Sequence, residues 1–242
     1  MDSADPKTTE NTEHWWWSSM KREITRQLEL HLGQADGKRQ ILNVGKTTGN
    51  PIPLGISPFG TVTGIGGADL ELPSEKKVTG EDDPSVQKFD RNFQPNVSYD
   101  AILMQGVLEH MADPQAAIRH AKDLLAPGGV LIATVPAFMS LWTGHDDSNH
   151  HMIRYRSDNF CPMFIRSGLR IRNSGYLFHW TCPVKMLISL KEKITGSRRT
   201  PTQVSAWVNR ICGLLSRFEQ ATISRLPMPF GSSLMVVGTP ED

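Results

Sequence analysis

The chain has 242 residues, with 26 Lys and Arg against 25 Asp and Glu and a formal net charge of +1. That length suits one α/β domain, with or without a small lid, and suffices to bury a core; the charge balance argues against nucleic acid or a membrane as partner. Three cysteines, Cys161, Cys182 and Cys212, are odd in number and far apart, which reads as reduced thiols in a cytoplasmic protein, and no apolar run reaches the roughly 18–20 residues of a bilayer span.

Residues 1–12 are polar and are expected to form a disordered tail, leaving 13–242 as a single domain. Trp15, Trp16 and Trp17 open an amphipathic helix over 13–33, with Met20, Ile24 and Leu28 following at i+4 steps. Three consecutive tryptophans cannot share one helix face. One of them is therefore expected to look toward a cleft, a lid or a partner. The first strand and the turn after it are Ile41-Leu-Asn-Val-Gly45, and Pro51 and Pro53 interrupt the helix that should follow. A second strand spans 61–65. A third is expected at 76–78, followed by the acidic loop Gly80-Glu81-Asp82.

The stretch around which the chain is organised is Tyr99-Asp-Ala-Ile-Leu-Met-Gln-Gly-Val-Leu-Glu-His-Met111. Its apolar run 101–104 reads as a buried strand. Glu109 and His110 fall just past the strand's end, where open α/β sheets bind ligands. Asp113-Pro114 is a helix start, with Asp as cap and Pro in the first turn. Ala117, Ile118, Ala121, Leu124 and Leu125 then recur at helical spacing. Pro127-Gly128-Gly129 stops the helix and 130–135 is a second buried strand, so the unit is βαβ and the sheet parallel. The segment 136–155 is too long and too polar-aromatic for a plain connector. A short helix over 157–167, capped by Ser157 or Asp158, leads to a strand at 169–178. The last strand is expected at 232–239. Between them, 180–227 reads as a helical insert, a lid or a homodimer surface, in which Val204, Val208, Ile211, Leu215 and Phe218 form a core-facing stripe. The basic run 191–199 reads as a solvated face.

YDAILMQGVLEHM followed by LLAPGGVLIATVPA resembles the second half of the class I S-adenosylmethionine (SAM) dependent methyltransferase fold. The chain is similar in particular to a bacterial branch that carries His14-Trp-Trp-Trp17, His145-Asp146…His151…Arg154-Tyr155 and Pro229-Phe-Gly-Ser-Ser-Leu234. The resemblance implies a Rossmann-like, seven-stranded, mostly parallel α/β sheet with an N-terminal helix and a helical insert before the last strand. It implies cofactor contacts at Asn43, Gly45, Gly49, Glu81 and Gln105. The cofactor loop departs from the family pattern. Asn43 stands for the usual acid, Lys46 for a small residue and Thr47 for a glycine, while Gly66 stands where an acid would bind the ribose hydroxyls. These departures argue against ordinary SAM binding.

His145, Asp146, His151 and Tyr155 are the candidate catalytic groups, a histidine beside a carboxylate being the usual general base. His150 takes the place of a residue that is usually glycine in the branch. Glu109, His110 and His151 have the composition of a two-histidine, one-carboxylate site for Fe(II), Mn(II) or Zn(II); related metal-dependent methyltransferases place a further acid where Gly106 stands. The expected function is a methyltransferase-like biosynthetic enzyme that acts on a small molecule by chemistry other than methyl transfer. A SAM-dependent O- or N-methyltransferase and a non-catalytic partner protein are the alternatives.

Overall fold

The computed structural model describes residues 14–45, 55–66, 89, 92–196, 205–222 and 228–241. The tail at 1–12, the strand expected at 76–78, and Gly49 and Glu81 lie outside the described residues.

Helix α1 (Trp15–Leu32) is followed by β1 (Arg39–Val44), a 3-10 turn (Ser57–Phe59) and β2 (Gly60–Ile65). Next come β3 (Tyr99–Gln105), a 3-10 turn (Leu108–His110), α2 (Pro114–Asp123) and β4 (Leu125–Pro136). The second half contains α3 (Gly144–Ser148), α4 (Ser157–Arg166), β5 (Leu169–Leu177), α5 (Thr181–Thr195), α6 (Ala206–Thr222) and β6 (Ser233–Pro240). The described strands form one six-stranded sheet in the order β2-β1-β3-β4-β6-β5. Six strands are described where seven are expected, and the one expected at 76–78 lies outside the described residues. β1 pairs in parallel with both β2 and β3, and β3 with β4, while β6 runs antiparallel to β4 and β5.

The central strands are apolar on both faces because helices cover both. On one side Ile102, Met104, Leu131 and Ala133 meet Ile118, Phe160 and Phe164 of α2 and α4. On the other, Ala101, Leu103, Val130 and Ile132 meet Met20, Ile24 and Leu28 of α1. This double cover explains why 101–104 reads as an uninterrupted apolar run rather than an alternating one. The tryptophans of α1 are all half-buried. Trp15 packs on Phe178 and Trp180 at ring separations of 5.6 and 5.2 Å, and Trp16 stacks edge-on with Trp17 at 4.7 Å. The helix is laid over the sheet, with its aromatic end beside the carboxyl end of β5.

Local signals behave as their chemistry requires. The Asp113 carboxylate accepts the Ala116 N–H at 2.9 Å, with Pro114 in the first turn of α2. Asp113→Ala is expected to cost about 1 kcal/mol in urea denaturation, the usual loss of an N-cap. The start of α4 differs from expectation. Its cap residue is Arg156, whose N–H is bonded at 2.8 Å by Asn159 reaching back; neither Ser157 nor Asp158 caps it. The carboxylate of Asp158 instead pairs with the exposed Arg156 guanidinium.

The insert departs most from the sequence pattern. Ile211, Leu215 and Phe218 do not face the core: they are exposed, and the buried residues of α6 are Ser216 and Glu219. Val204 lies outside the described residues. The polar side of α6 packs inward because its partners are polar: the Asn209 side chain accepts the Trp15 N–H at 2.7 Å, and Arg22 donates to Gln220 at 2.9 Å.

Candidate functional site

The strand order reverses between β1 and β3, which opens a crevice at their carboxyl ends. Asn43 and Gly45 stand at the end of β1, and Gln105 and Gly106 at the end of β3. Asn43 and Gln105 are buried, and neither side-chain amide has a hydrogen-bond partner. Buried amides without partners cost free energy unless a ligand supplies them. Gly45 has a φ of 131°, and a Cβ there would lie 2.9 Å from Val107, so the backbone can approach a ligand only as glycine. Gly106 turns the chain out of β3 at a φ of 62°. A side chain there would carry backbone strain, and its Cβ would lie 3.6 Å from Glu109 Oε1.

The loop after β4 folds back over this edge. Its organising group is Arg154, a fully buried side chain. It donates from Nε and Nη2 to the two oxygens of Asp146 at 2.8 and 2.9 Å, and from Nη1 to the Ala137 carbonyl at 3.0 Å. Asp146 also accepts the Thr143 N–H at 2.9 Å, capping α3. Burial alone would raise the Asp146 carboxyl, but hydrogen bonds from His151 and Arg154 hold it well below the usual carboxylate range. His151 donates from Nδ1 to Asp146 Oδ1 at 2.8 Å. That bond sets the tautomer and leaves Nε2 directed elsewhere.

Nε2 of His151 is directed to Glu109, at 3.9 Å from Oε1. His110 is alongside, its ring 5.0 Å from that of His151, and its Nδ1 donates to the His150 carbonyl at 3.3 Å. The backbone carbonyl of Glu109 accepts the Met152 N–H at 2.8 Å, which ties the turn after β3 to this loop. Burial pushes the Glu109 carboxyl up to about 8, and its Oε2 has no partner. One donor atom from each of Glu109, His110 and His151 lies within 4.8 Å of the others. The 3.9 Å gap is too long for a hydrogen bond. It is close to two metal–ligand bonds of about 2.0–2.2 Å each. With both Nδ1 atoms engaged by acceptors, both histidines are oriented as metal-ligating histidines are by their outer partners.

His145 is exposed, its ring 6.5 Å from that of His151 and in contact with Asn149. Although His145 is exposed, partial desolvation of its imidazole by the neighbouring groups, then the Lys185 charge, lowers its pKa. Trp142 does not stack on it but donates its indole N–H to Asp147 at 2.9 Å. Tyr155 is buried, and its hydroxyl donates to the Leu108 carbonyl at 3.2 Å. Desolvation, with Glu109 adding, pushes its phenol well above the ordinary value. This is the arrangement of a strut under the turn that carries Glu109 and His110. Tyr155→Phe is accordingly expected to lower stability by about 1 kcal/mol, one hydrogen bond's net worth, with metal uptake unchanged in a cation titration. His150 adopts a φ of 55°, the conformation that explains why glycine is usual there.

Two site residues escaped the sequence pattern. Arg154 was visible only as part of a motif and not as the group that orients Asp146. Lys185, on the polar side of α5, is pushed down to about 8 by burial and the Arg154 charge. No local signal marks it, since a single lysine in an amphipathic helix reads as solvated. The same side of α5 carries Glu192, which accepts the Gly144 N–H at 2.9 Å and so closes the loop against the insert.

The fold and this crevice are those of a class I methyltransferase. The chain belongs to the family described as "Methyltransferase domain", which matches residues 16–174. No curated protein matches the sequence. Among solved structures it is similar to the [4+2]-cyclase SpnF, at 17% identity and a TM-score of 0.51, covering 97% of this chain and 85% of that one. It is also similar to an S-adenosylmethionine-dependent methyltransferase from Clostridium acetobutylicum, at 8% identity and a TM-score of 0.51 over 96% and 94% of the two chains. The CcbJ methyltransferase from Streptomyces caelestis is 11% identical, with a TM-score of 0.50 over 98% and 100%. At these identities the likeness is one of fold.

SAM is the cofactor the family implies, and the described residues suit it only in part. The unpartnered amides of Asn43 and Gln105 and the bare backbone at Gly45 suit the methionine end. Gly66, beyond the end of β2, has no side chain to accept the ribose hydroxyls.

Proposed function

We propose that this protein is a methyltransferase-fold enzyme in which Glu109, His110 and His151 hold a divalent cation, and that it acts on a small molecule in the crevice by chemistry other than methyl transfer. The observation that carries the reading is the pair of engaged Nδ1 atoms. Asp146 and the His150 carbonyl engage both Nδ1 atoms, His151 Nε2 lies 3.9 Å from Glu109, and one donor atom of each of the three side chains lies within 4.8 Å of the others. Such a cation would supply a Lewis acid for a carbonyl or hydroxyl of the substrate. Arg154 and Asp146 then act as positioning residues for His151. Lys185 and His145, whose pKa values are lowered, are the groups available to hold or move a proton. The Asn43 and Gln105 amides bind polar substrate atoms.

A second reading is SAM-dependent O- or N-methyl transfer, with His151 as base for the acceptor. It is favoured by the position of the Asn43 and Gln105 amides, which is where that cofactor's amino acid end would lie. Calorimetric titration of the purified chain with Mn(II) and Zn(II), and separately with SAM and S-adenosylhomocysteine, divides the two. The proposal expects a cation to bind stoichiometrically and neither nucleoside to bind. Micromolar binding of SAM with no cation uptake would overturn it in favour of methyl transfer.

A further inference from the structure

Helices α5 and α6 are built inside out. The side of α5 that meets the body carries Thr181, Cys182 and Ser189, all buried, with Glu192 bonded to Gly144. The side of α6 that meets the body carries Asn209, Ser216, Glu219 and Gln220, bonded to Trp15, Trp180 and Arg22. The apolar residues point the other way. Leu187 is 69% exposed and Ile194 75%, and on α6 Trp207 is 68% and Phe218 64%. Of the seventeen large hydrophobic residues exposed among the described residues, eleven belong to these two helices. A soluble helix normally does the reverse, and apolar surface on this scale marks an interaction face.

Charge selects the occupant. The acidic residues of the two helices are Glu192 and Glu219, and both are engaged inward, Glu219 lying 3.1 Å from His179. The charged residues left on the outer side are Lys191, Lys193, Arg210 and Arg217, all exposed. In sequence, Arg198 and Arg199 lie in the connection between the helices. Between α1 and α6 a groove of about 250 Å³ is lined by Arg22, Arg26 and Arg217, with Glu23, Gln220 and Ala221; there Arg26 is paired with Glu23 and Arg22 donates to Gln220, so Arg217 is the basic group this edge adds to the outer side. A face that combines leucine, isoleucine, tryptophan and phenylalanine with flanking lysines and arginines is the composition of a helix lying in the plane of a lipid interface. The basic flank matches anionic headgroups. A second copy of the same face would bring these like charges together, which opposes self-association. No helix among the described residues is long and apolar enough to cross a membrane, so the contact is one of lying on the surface.

We infer that α5 and α6 form a peripheral membrane-binding surface that recognises anionic phospholipid. This revises the expectation from net charge, which averages the basic outer sides of these two helices with the acidic residues elsewhere.

The test is flotation of the purified full chain with vesicles of phosphatidylcholine alone and of phosphatidylcholine with phosphatidylglycerol. The expected result is flotation with the anionic vesicles only, reduced by high salt as counterions screen the headgroups. The double variants Leu187→Glu with Ile194→Glu, and Trp207→Glu with Phe218→Glu, should each lower the bound fraction by about tenfold. Circular dichroism should be unchanged, since these side chains are exposed. Failure of the wild-type chain to float with either vesicle overturns the inference. So does equal flotation on neutral vesicles, or flotation that neither double variant reduces. A solution dimer that either double variant turns into monomer, without vesicle binding, would assign the face to a second copy instead.

Discussion

Arg154→Ala is expected to destabilise the protein by about 3–5 kcal/mol, read as a shift in the urea midpoint, because it strips the partner from a fully buried carboxylate. Asp146 has no solvent access, and two of its hydrogen bonds come from this one guanidinium. The Ala137 carbonyl loses its donor in the same step. Arg154→Lys should recover little of the loss, since an ammonium cannot reproduce two parallel bonds to one carboxylate and a third to a carbonyl. The double variant Arg154→Ala with Asp146→Ala should be less destabilised than the sum of the two single variants, as the energies of contacting groups are not additive. A loss below about 1 kcal/mol for Arg154→Ala would mean that Asp146 is held by its other donors, His151 and Thr143.

The second large effect concerns the cation. Glu109→Gln is expected to abolish stoichiometric uptake of Mn(II) or Zn(II) while preserving the fold. Gln has nearly the shape of Glu and replaces a buried carboxyl group with a neutral amide. Asp146→Asn leaves all three donor atoms in place and should weaken cation affinity by about 10–100-fold through the orientation of His151, alongside a loss of stability, since the buried Arg154 guanidinium loses its charged partner. The contrast between the two variants separates a donor from a group that orients a donor. If neither substitution changes uptake, Glu109, His110 and His151 form a hydrogen-bonded structural cluster, and the metal reading fails.

How far the sequence reached depended on the range of the forces involved. Most strand and helix positions in the second half were legible to within a few residues; the exception is β4, which begins at Leu125, expected in the helix, and takes in Pro127-Gly128-Gly129, because Leu125 already pairs with Tyr99 of β3. The run 101–104 lies inside Tyr99–Gln105, and Asp113 caps α2 as its type and position require. Glu109, His110, Asp146 and His151 were legible as candidates because ionisable groups clustered after two apolar strands. Their convergence was not legible, since it depends on Arg154 and on the Met152–Glu109 backbone bond between segments over forty residues apart in sequence. Tyr155 lies in the same motif, yet its hydroxyl ends on a backbone carbonyl; spacing does not reveal which partner a side chain meets.

The helical insert shows the limit from the other side. Its residue pattern is helical and amphipathic, as the spacing predicts, but the stripe expected to face the core is exposed. Periodicity reports that a helix has two unlike sides and is silent on which side meets the body. Here the surface underneath is offered by Trp15, Arg22 and Trp180 with their polar atoms, so the polar side of α6 goes inward and the apolar side outward. The sequence by itself therefore determined the methyltransferase fold, the order of its strands and helices and the chemical types available at the crevice, all set by short-range pattern and burial. Only the tertiary structure decided which donors converge, which groups merely brace them and which way the insert faces, because those depend on partners distant in the chain.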